Sequence, residues 1–382
     1  MPKVNGTVRR GVVSTQPETP AAKAKTATPA ARGTTPATGF TAATAKKPLE
    51  LATPAARASR SSAVKVIDND AYFPQLTQML AGAKKSIDLV QYNFFSESGH
   101  GQQIAEQLIQ LKKDNPALKV RLFIEADHGD GAARNQKTMT LLKNAGIEVV
   151  PDSKNLVTHA KVLCVDSKQV LAGSHNLTNT SMDKNNEVSL ALSSPSLAAG
   201  YEQYFESLVS DPSHLHPSTV TSGHVTMFTD TAYEEQLLSV IKGAKHTLDA
   251  SMYDLNFTGK DPKAQEVMDA LADAAKRGVK VNLMLEQGTP DFAPEITQAN
   301  KAAAKWLQDR GVTVHLDQPA QISHQKFIVA DSSQALLGST NWTKSDFDQR
   351  HQVNWLVRDT SVAKQLRNIL RDEIGTEGVP LG

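Results

Sequence analysis

The sequence has little cysteine, no long apolar run and almost no net charge, and each shortage excludes a class of protein. Its one cysteine, Cys164, cannot form an intrachain disulfide, so a reducing compartment is expected. Nowhere do about eighteen apolar residues follow one another, and Met1 does not precede a signal-peptide-like apolar stretch. We therefore expect a cytoplasmic protein without a transmembrane segment or Sec signal, with non-Sec export through its N-terminal segment as an alternative.

The net charge of +1 conceals two segments of opposite sign. Residues 1–63 contain ten Lys or Arg and two Glu, so they carry +8 and leave −7 for residues 64–382. The first segment is rich in Ala, Thr and Pro, a composition that predicts a disordered basic tail. It is either a solvated linker or delivery tail, which the spacing of its charges favours, or an arm that binds anionic lipid or nucleic acid.

The rest of the chain contains an internal repeat. Ala71-Tyr72 recurs as Ala232-Tyr233 at an offset of 161 residues, and the offset is 165 in the later part of the repeat. This predicts two lobes, residues 64–210 and 224–382, joined by a linker over residues 211–223.

Predicted strands alternate with predicted helices in each half, which indicates an α/β fold with a helix-flanked sheet in each lobe. Ligands of such folds usually bind at the carboxyl ends of strands or between domains. Four residues at predicted strand ends could line such a cleft, although structural roles are as common for them: Tyr92, Glu125, Tyr253 and Glu286.

A polar motif occurs twice without a gap, over residues 159–187 and 324–352. The first copy contains His159, Lys161, Asp166, Gly173, Ser174, Asn176 and Glu187, and the second contains His324, Lys326, Asp331, Gly338, Ser339, Asn341 and Gln352. Histidine and lysine two residues apart on a strand share a face, whereas Cys164 and Asp166 have the other parity. We therefore expect the His-Lys pairs to face a ligand, the two aspartates and glycines to be structural, and Cys164 to fill the core.

These residue types suit phosphodiester chemistry. Backbone N–H groups after the second strand, with Ser174, Ser339, Asn176 and Asn341, would form an anion cradle to which Lys161 and Lys326 add positive charge. One histidine would attack phosphorus while the other protonates the leaving oxygen. We expect Glu187 to orient His159; its counterpart Gln352 is neutral, so the two histidines are not equivalent.

At these residues the chain resembles the phospholipase D superfamily, whose signature is a doubled His-x-Lys-x4-Asp motif followed by Gly-Ser-x-Asn. The resemblance covers about residues 64–370. It implies two repeated phospholipase D-like lobes, each a mixed β-sheet flanked by helices, related by a pseudo-twofold axis with one active site at their interface. It also implies metal-independent catalysis without a cofactor, through a phosphohistidine on His159 with His324 as general acid. Gln352 replaces an acid that is frequent in the family, a departure that bears on the pKa of His324.

The first hypothesis for the substrate is a phospholipid at a membrane surface, with hydrolysis or transphosphatidylation of the head group in lipid degradation. The net acidic body offers no general attraction for nucleic acid. Apolar residues near the strand ends could touch lipid, namely Phe94, Phe95, Phe292 and Trp342. We expect a monomer with an intramolecular active site.

Three alternatives remain. The second hypothesis is a nuclease acting on DNA or RNA, with the basic tail holding the strand and Trp342 stacking on a base; core packing is the structural alternative for Trp342. A cardiolipin synthase-like phosphatidyltransferase is less favoured, because the membrane-spanning segments of many bacterial forms are missing. An inactive binding module is disfavoured because both His-Lys pairs are intact.

Overall fold

The computed structural model describes residues 63–129, 131–257, 259–288, 294–319, 321–376 and 379–380. The predicted basic tail lies outside these ranges except for Ala63, which begins the first strand. Phe292 also lies outside them.

Strands and helices alternate through the first half, beginning with a strand and a short 3-10 helix. The elements are β1 Ala63–Asp68, the 3-10 helix Asn69–Ala71, α1 Tyr72–Gly82, β2 Ser86–Gln91, α2 Gly99–Asp114, β3 Lys119–Ile124, α3 Ala132–Asn144, β4 Glu148–Pro151, β5 Val157–Thr158, β6 Val162–Val165, β7 Gln169–Gly173, α4 Asn179–Asp183, β8 Val188–Ser193 and α5 Pro195–Ser210.

The second half repeats this order. Its elements are β9 Ser218–Ser222, β10 Val225–Thr229, α6 Ala232–Gly243, β11 Thr247–Met252, α7 Pro262–Lys276, β12 Lys280–Leu285, α8 Pro294–Gln308, β13 Thr313–Leu316, β14 Lys326–Ala330, β15 Gln334–Gly338, α9 Lys344–Asp348, β16 Arg350–His351, β17 Val353–Val357, α10 Thr360–Thr376 and β18 Val379–Pro380. β9 lies within the segment predicted to join the lobes.

The strands form two large mixed sheets, one from each half. Within the described residues, the first sheet has the order β1-β8-β7-β6-β2-β3-β4 and the second has the order β18-β13-β12-β11-β14-β15-β17-β10-β9. In each, two parallel strand pairs adjoin antiparallel ones, as β2 does with β3 and β6. The predicted α/β fold of two repeated lobes is confirmed.

Three apolar cores hold the layers together. One lies between the first sheet and α1 to α3, and another between the second sheet and α6 to α8. The third is shared between the sheets and includes Val162 and Cys164 from one half and Phe327 and Trp355 from the other, with α5 and α10 packed against it. Because burial of this shared apolar surface stabilises both halves together, the two lobes are packed against each other through a common core.

None of the described helices is long and apolar enough to cross a bilayer.

Candidate active site between the two lobes

The aspartate of each motif lies in a tight turn directly after the last residue of β6 or β14. Asp166 and Asp331 have φ angles of 54° and 51°, and the serine after each is also left-handed, a conformation that aspartate tolerates better than most residues. The Asp166 carboxylate accepts hydrogen bonds of 2.6–3.1 Å from the backbone N–H groups of residues 84–86. Asp331 accepts corresponding bonds from residues 245–247. Both aspartates therefore tie a hairpin to the neighbouring strand.

The glycine and serine of each motif pack against the strand beside them. A Cβ on Gly173 would lie 2.3 Å from the Val188 carbonyl oxygen, and one on Gly338 would lie 2.5 Å from that of Val353, so only glycine fits. The Ser174 hydroxyl exchanges hydrogen bonds with the Val188 backbone, and Ser339 does the same with Val353. Neither serine is among the described residues that line the cavity, and the same holds for the buried Lys161 and Lys326, so the predicted substrate-binding role of the serines stays a prediction.

Each histidine forms a compact group with its lysine and a tyrosine from the adjacent strand end. The ring centroids of His159 and Tyr92 are 5.1 Å apart, and those of His324 and Tyr253 are 4.8 Å apart, both edge to face. The lysine ammonium groups lie 5.1 Å and 4.7 Å from the same tyrosine rings, as in cation–π contacts. Each lysine also donates to the carbonyl oxygen of its own motif histidine. Both strand-end tyrosines thus belong to the site.

The strand-end glutamates bind the backbone next to each motif histidine. Glu125 accepts a 2.9 Å hydrogen bond from the backbone N–H of Thr158, the residue before His159, and Glu286 accepts one of 2.6 Å from Ser323, the residue before His324. Each glutamate is paired with a buried aspartate, Asp152 or Asp317, that bonds the same N–H. Burial and the neighbouring carboxylate raise the pKa of Asp152 to about 8 and that of Glu286 to about 10, so each pair retains a proton near neutral pH.

Backbone pairing between the lobes decides which acid reaches which histidine. β5, which precedes His159, pairs in parallel with β16 of the other half, and the backbone N–H of His159 donates to the His351 carbonyl oxygen at 2.9 Å. The symmetry-related contact joins the His324 N–H to the Asn186 carbonyl oxygen, also at 2.9 Å. The residue after each acceptor, Gln352 or Glu187, is thereby placed beside the histidine of the opposite lobe.

The prediction that Glu187 orients His159 is therefore wrong, because Glu187 contacts His324. Its carboxylate oxygens lie 2.9 and 3.0 Å from His324 Nδ1. Although burial raises the pKa of Glu187, the facing His324 outweighs it and lowers this pKa to about 2. Glu187 is ionised and fixes a proton on Nδ1 of His324, which leaves Nε2 directed at substrate.

His159 has Gln352 and Asp346 beside it instead. The Gln352 amide nitrogen donates to Asp346 Oδ1 at 2.7 Å, and its oxygen accepts from Ser339 at 2.6 Å. Both amide atoms of Gln352 lie 3.3 Å from His159 Nδ1, and Asp346 Oδ1 lies 3.4 Å from the same nitrogen. The carboxylate of Asp346 favours the tautomer of the neutral imidazole that carries its proton on Nδ1, and Nε2 then holds the free lone pair.

The two histidines share one cavity of about 690 Å³ at the lobe interface. The lining residues that the sequence predicted are His159, His324, Asn176, Asn341, Tyr92 and Tyr253. The side-chain oxygens of Asn176 and Asn341 are buried without a hydrogen-bond partner among the described residues. These unpaired oxygens are acceptors that a donor group of a ligand would satisfy, whereas contact with phosphoryl oxygens would fall to the amide N–H groups of the same side chains.

Burial and neighbouring charges disfavour extra positive charge in this pocket. Burial, followed by Lys161, lowers the pKa of His159 well below its usual value of 6.5. Burial also lowers the pKa of His324, but Glu187 opposes this effect. The pKa of Lys326 falls to about 8 through burial, and that of Lys161 falls well below 10.5 for the same reason. An anionic group bound in the cavity would relieve this repulsion.

Several residues of the site were not anticipated from the sequence. Asp254 and Arg350 line the cavity, and Asp346 lies directly behind it. Burial, and then the nearby Asp346, raises the pKa of Asp254 to about 7. A comparison of the two halves of the repeat could have identified these residues. The positions that align with Asp254, Arg350 and Asp346 in the first half are the neutral residues Asn93, Asn185 and Ser181.

The predicted apolar contact residues are mostly core. Phe94 and Trp342 are fully buried, and the Trp342 indole N–H donates to Tyr233 at 3.2 Å. Phe94 follows the end of β2 and forms a β-bridge with Leu177, and Trp342 follows the end of β15 and forms a β-bridge with Leu255. Both side chains pack into the core. Phe95 lines the cavity beneath Arg134. The expectation that Phe94 or Trp342 touches lipid or a base is therefore wrong.

The described residues contain no cluster of three or more His, Cys, Asp or Glu side chains that could hold a metal ion.

Solved structures resemble the fold over most of this chain. A phosphatidylserine synthase of Haemophilus influenzae superposes with a TM-score of 0.67 at 14% identity, covering 83% of this chain and 87% of that one. A polyphosphate kinase of Porphyromonas gingivalis gives 0.60 at 15% identity, covering 83% of this chain and 48% of the other. At these identities the likeness concerns the fold alone.

Sequence relatives are more specific. Cardiolipin synthase 1 of Staphylococcus epidermidis is 34% identical over 110 residues, which are 29% of this chain and only 22% of that enzyme. Cardiolipin synthase A of Pseudomonas fluorescens is 22% identical over 333 residues, covering 81% of this chain and 67% of that enzyme. A family model described as cardiolipin synthase, PLD-like domain, matches residues 76–209 and 237–373, more than half of the chain. The chain therefore belongs to the phospholipase D superfamily, as a tandem of two PLD-like domains.

Proposed function

We propose that this protein transfers a phosphatidyl group from a phospholipid to an alcohol through a covalent phosphohistidine, and hydrolyses the same intermediate when water takes the alcohol's place. One observation carries the chemistry: a histidine from each lobe reaches the same cavity with Nδ1 facing an acceptor, so that both Nε2 atoms are available to one phosphate.

The residues beside each histidine favour a different catalytic role for it. His159 faces a neutral amide and a more distant carboxylate, and its lowered pKa keeps Nε2 unprotonated for attack on phosphorus. His324 faces the ionised Glu187 directly, which favours the imidazolium that a general acid needs. These contacts support His159 as nucleophile and His324 as acid.

The reaction then runs as two displacements. In the first, His159 Nε2 bonds to phosphorus as the P–O bond to the head group breaks, and His324 gives its Nε2 proton to the leaving oxygen. In the second, neutral His324 accepts the proton of the incoming hydroxyl, whose oxygen bonds to phosphorus as the P–N bond breaks. Lys161, Lys326 and the two cavity asparagines would stabilise the phosphoryl oxygens in both steps.

The order of the substrate hypotheses changes with the relatives. The sequence alone favours hydrolysis or transphosphatidylation of a head group over a cardiolipin synthase-like phosphatidyltransferase, because the membrane-spanning segments of many bacterial forms are missing, but the family model and the sequence relatives are both named for cardiolipin synthases. We therefore rank transfer to an alcohol first and hydrolysis second. The nuclease hypothesis loses its stacking residue, since Trp342 is buried.

The test is direct. Purified full-length protein with EDTA is offered vesicles of phosphatidylglycerol or phosphatidylcholine, with and without added glycerol, and in parallel single-stranded DNA and RNA. Formation of cardiolipin or of a transphosphatidylated lipid supports the proposal, and phosphatidic acid alone would reassign the enzyme to hydrolysis. Nicked nucleic acid with intact lipid, or no turnover at all, would overturn it. His159→Ala should abolish turnover and the acid-labile phosphoprotein that the wild type forms.

A further inference from the structure

The two halves of the site carry their acid at different positions. In the first half, aligned residues are Ser181, Asn185 and Glu187, and in the second half they are Asp346, Arg350 and Gln352. The carboxylate present at 187 is thus absent at 352, and another appears six residues earlier. Each half still places one carboxylate near the Nδ1 of the opposite histidine.

Asp346 is built into this place by several bonds. It lies in the first turn of α9 and is 1% exposed. Its Oδ2 accepts from the Thr343 hydroxyl at 2.8 Å and pairs with Arg350 at 3.3 Å, while Oδ1 accepts from Gln352 at 2.7 Å. In the first half the corresponding Ser181 donates to Glu187 instead, at 2.5 Å. The hydrogen bond between positions 181 and 187 is therefore kept in the second half with donor and acceptor exchanged.

We propose that Asp346 is the positioning carboxylate of His159 and takes over the role of the acid that Gln352 lacks. The inference rests on the proposed function only in assigning His159 to the reacting pair. Asp346 acts in two ways: it accepts from the Gln352 amide and so holds that amide beside His159 Nδ1, and its carboxylate, 3.4 Å from Nδ1, supplies negative charge beside a ring that becomes cationic when it bonds to phosphorus.

The surroundings of His159 explain why such a charge is needed. The charged or titratable groups that face it are Lys161, Lys326, Arg350, His324 and Asp346, together with the phenol of Tyr92. All but Asp346 and Tyr92 are cationic when protonated. Arg350 is balanced by its bond to Asp346, which leaves the cavity with a fixed pair instead of an uncompensated cation. Asp254 lines the same cavity and interacts with Arg350 at longer range, but Asp346 is the carboxylate within ion-pair distance of Arg350 and His159 among the described residues.

A second-site exchange tests this directly. Asp346→Ser imports the residue of the first half and removes the carboxylate, and it should lower kcat at least about tenfold, the loss expected for one charge-assisted contact. Adding Gln352→Glu returns a carboxylate to the position used by Glu187 and should recover most of the lost activity. Asp348→Ser is the matched control, since it removes another acid of α9 that pairs with Lys344 and Lys263 outside the cavity.

A readout independent of turnover accompanies the kinetics. Titration of 15N-labelled histidine by NMR, with the His159 signal assigned from H159A, should show a lower pKa for His159 in D346S, recovery in D346S/Q352E, and no change in D348S. An unchanged His159 pKa in folded D346S, or failure of Q352E to restore a folded D346S protein, would overturn the proposal.

Folding and function are controlled separately. If D346S gives no cooperative thermal transition, the triple variant D346S/R350N/Q352E, which copies the whole first-half arrangement, takes its place, and retained activity supports the proposal whereas an inactive folded protein refutes it. If the wild type turns over no lipid, the proposed function fails, but the NMR titration still decides whether Asp346 controls His159.

Discussion

Replacing Glu187 by glutamine should impair the general acid without unfolding the site. The substitution keeps the shape of the side chain that lies 2.9–3.0 Å from His324 Nδ1, but it removes the charge and replaces one acceptor oxygen by an NH2 group. Against the effect of burial, the cations around Glu187 lower its pKa from 4.5 to about 2, which corresponds to roughly 3 kcal/mol of net attraction.

The expected loss of activity depends on how much of this attraction comes from His324. His324 is the main cation, but His175 and Lys326 contribute as well. If half or more of the roughly 3 kcal/mol belongs to His324, E187Q lowers the pKa of that imidazole and reduces the protonated fraction at neutral pH by between about tenfold and a hundredfold. kcat/KM should fall by the same factor for a substrate whose leaving group needs a proton.

Two leaving groups make the assay specific. kcat/KM is measured for an alkyl phosphodiester and for the p-nitrophenyl analogue, whose departure needs little protonation. E187Q should reduce the first far more than the second and move the basic limb of the pH profile to lower pH, while the exposed-site control E106Q changes neither. Equal losses on both substrates, or a basic limb that stays in place, would refute the assignment of His324 as the acid that Glu187 supports.

Three further predictions concern pH and stability. Because the pKa values of both His159 and His324 are lowered from 6.5, kcat/KM should be maximal below pH 6.5, and an optimum above pH 7.5 would contradict the protonation states assigned here. Asp166→Asn should cost about 1–3 kcal/mol of unfolding free energy in urea, since an amide cannot accept all the bonds from residues 84–86, with kcat within about twofold of wild type. Glu286 has a folded-state pKa raised from 4.5 to about 10, so its proton stabilises the fold fully below pH 4.5 and this contribution is lost as pH rises towards 10; Glu286→Gln should flatten the stability curve over that range, and parallel wild-type and mutant curves would disprove it.

Local patterns in the sequence were enough to predict the α/β class and the repeat. Strand alternation and helical spacing depend on neighbouring residues, and the constant offset between the halves can be read without any structure. The positions of the His-Lys pairs can also be read from the repeat, but the strand expected to carry them is not formed: His159 and Lys161 lie between β5 and β6, and His324 lies just before β14. Local patterns also predict the turns that contain Asp166 and Asp331, although the backbone N–H groups that their carboxylates bind lie at least 80 residues earlier in the chain.

Only the tertiary structure decided which groups face each other across the interface. Glu187 was assigned to His159 on proximity within one motif, but pairing of β5 with β16 and of Ser323 with Asn186 exchanges the partners between lobes. Trp342 could not be placed from its polar neighbours, since its burial depends on the chain around Leu255.

The sequence by itself therefore determined the two half-sites and their residue types. Their closure into one site, with Glu187 at His324 and Asp346 at His159, depended on contacts between residues more than 130 positions apart. Such contacts form because burying the shared apolar core brings the lobes together, and no local periodicity in the chain encodes which of the two histidines each acid then meets.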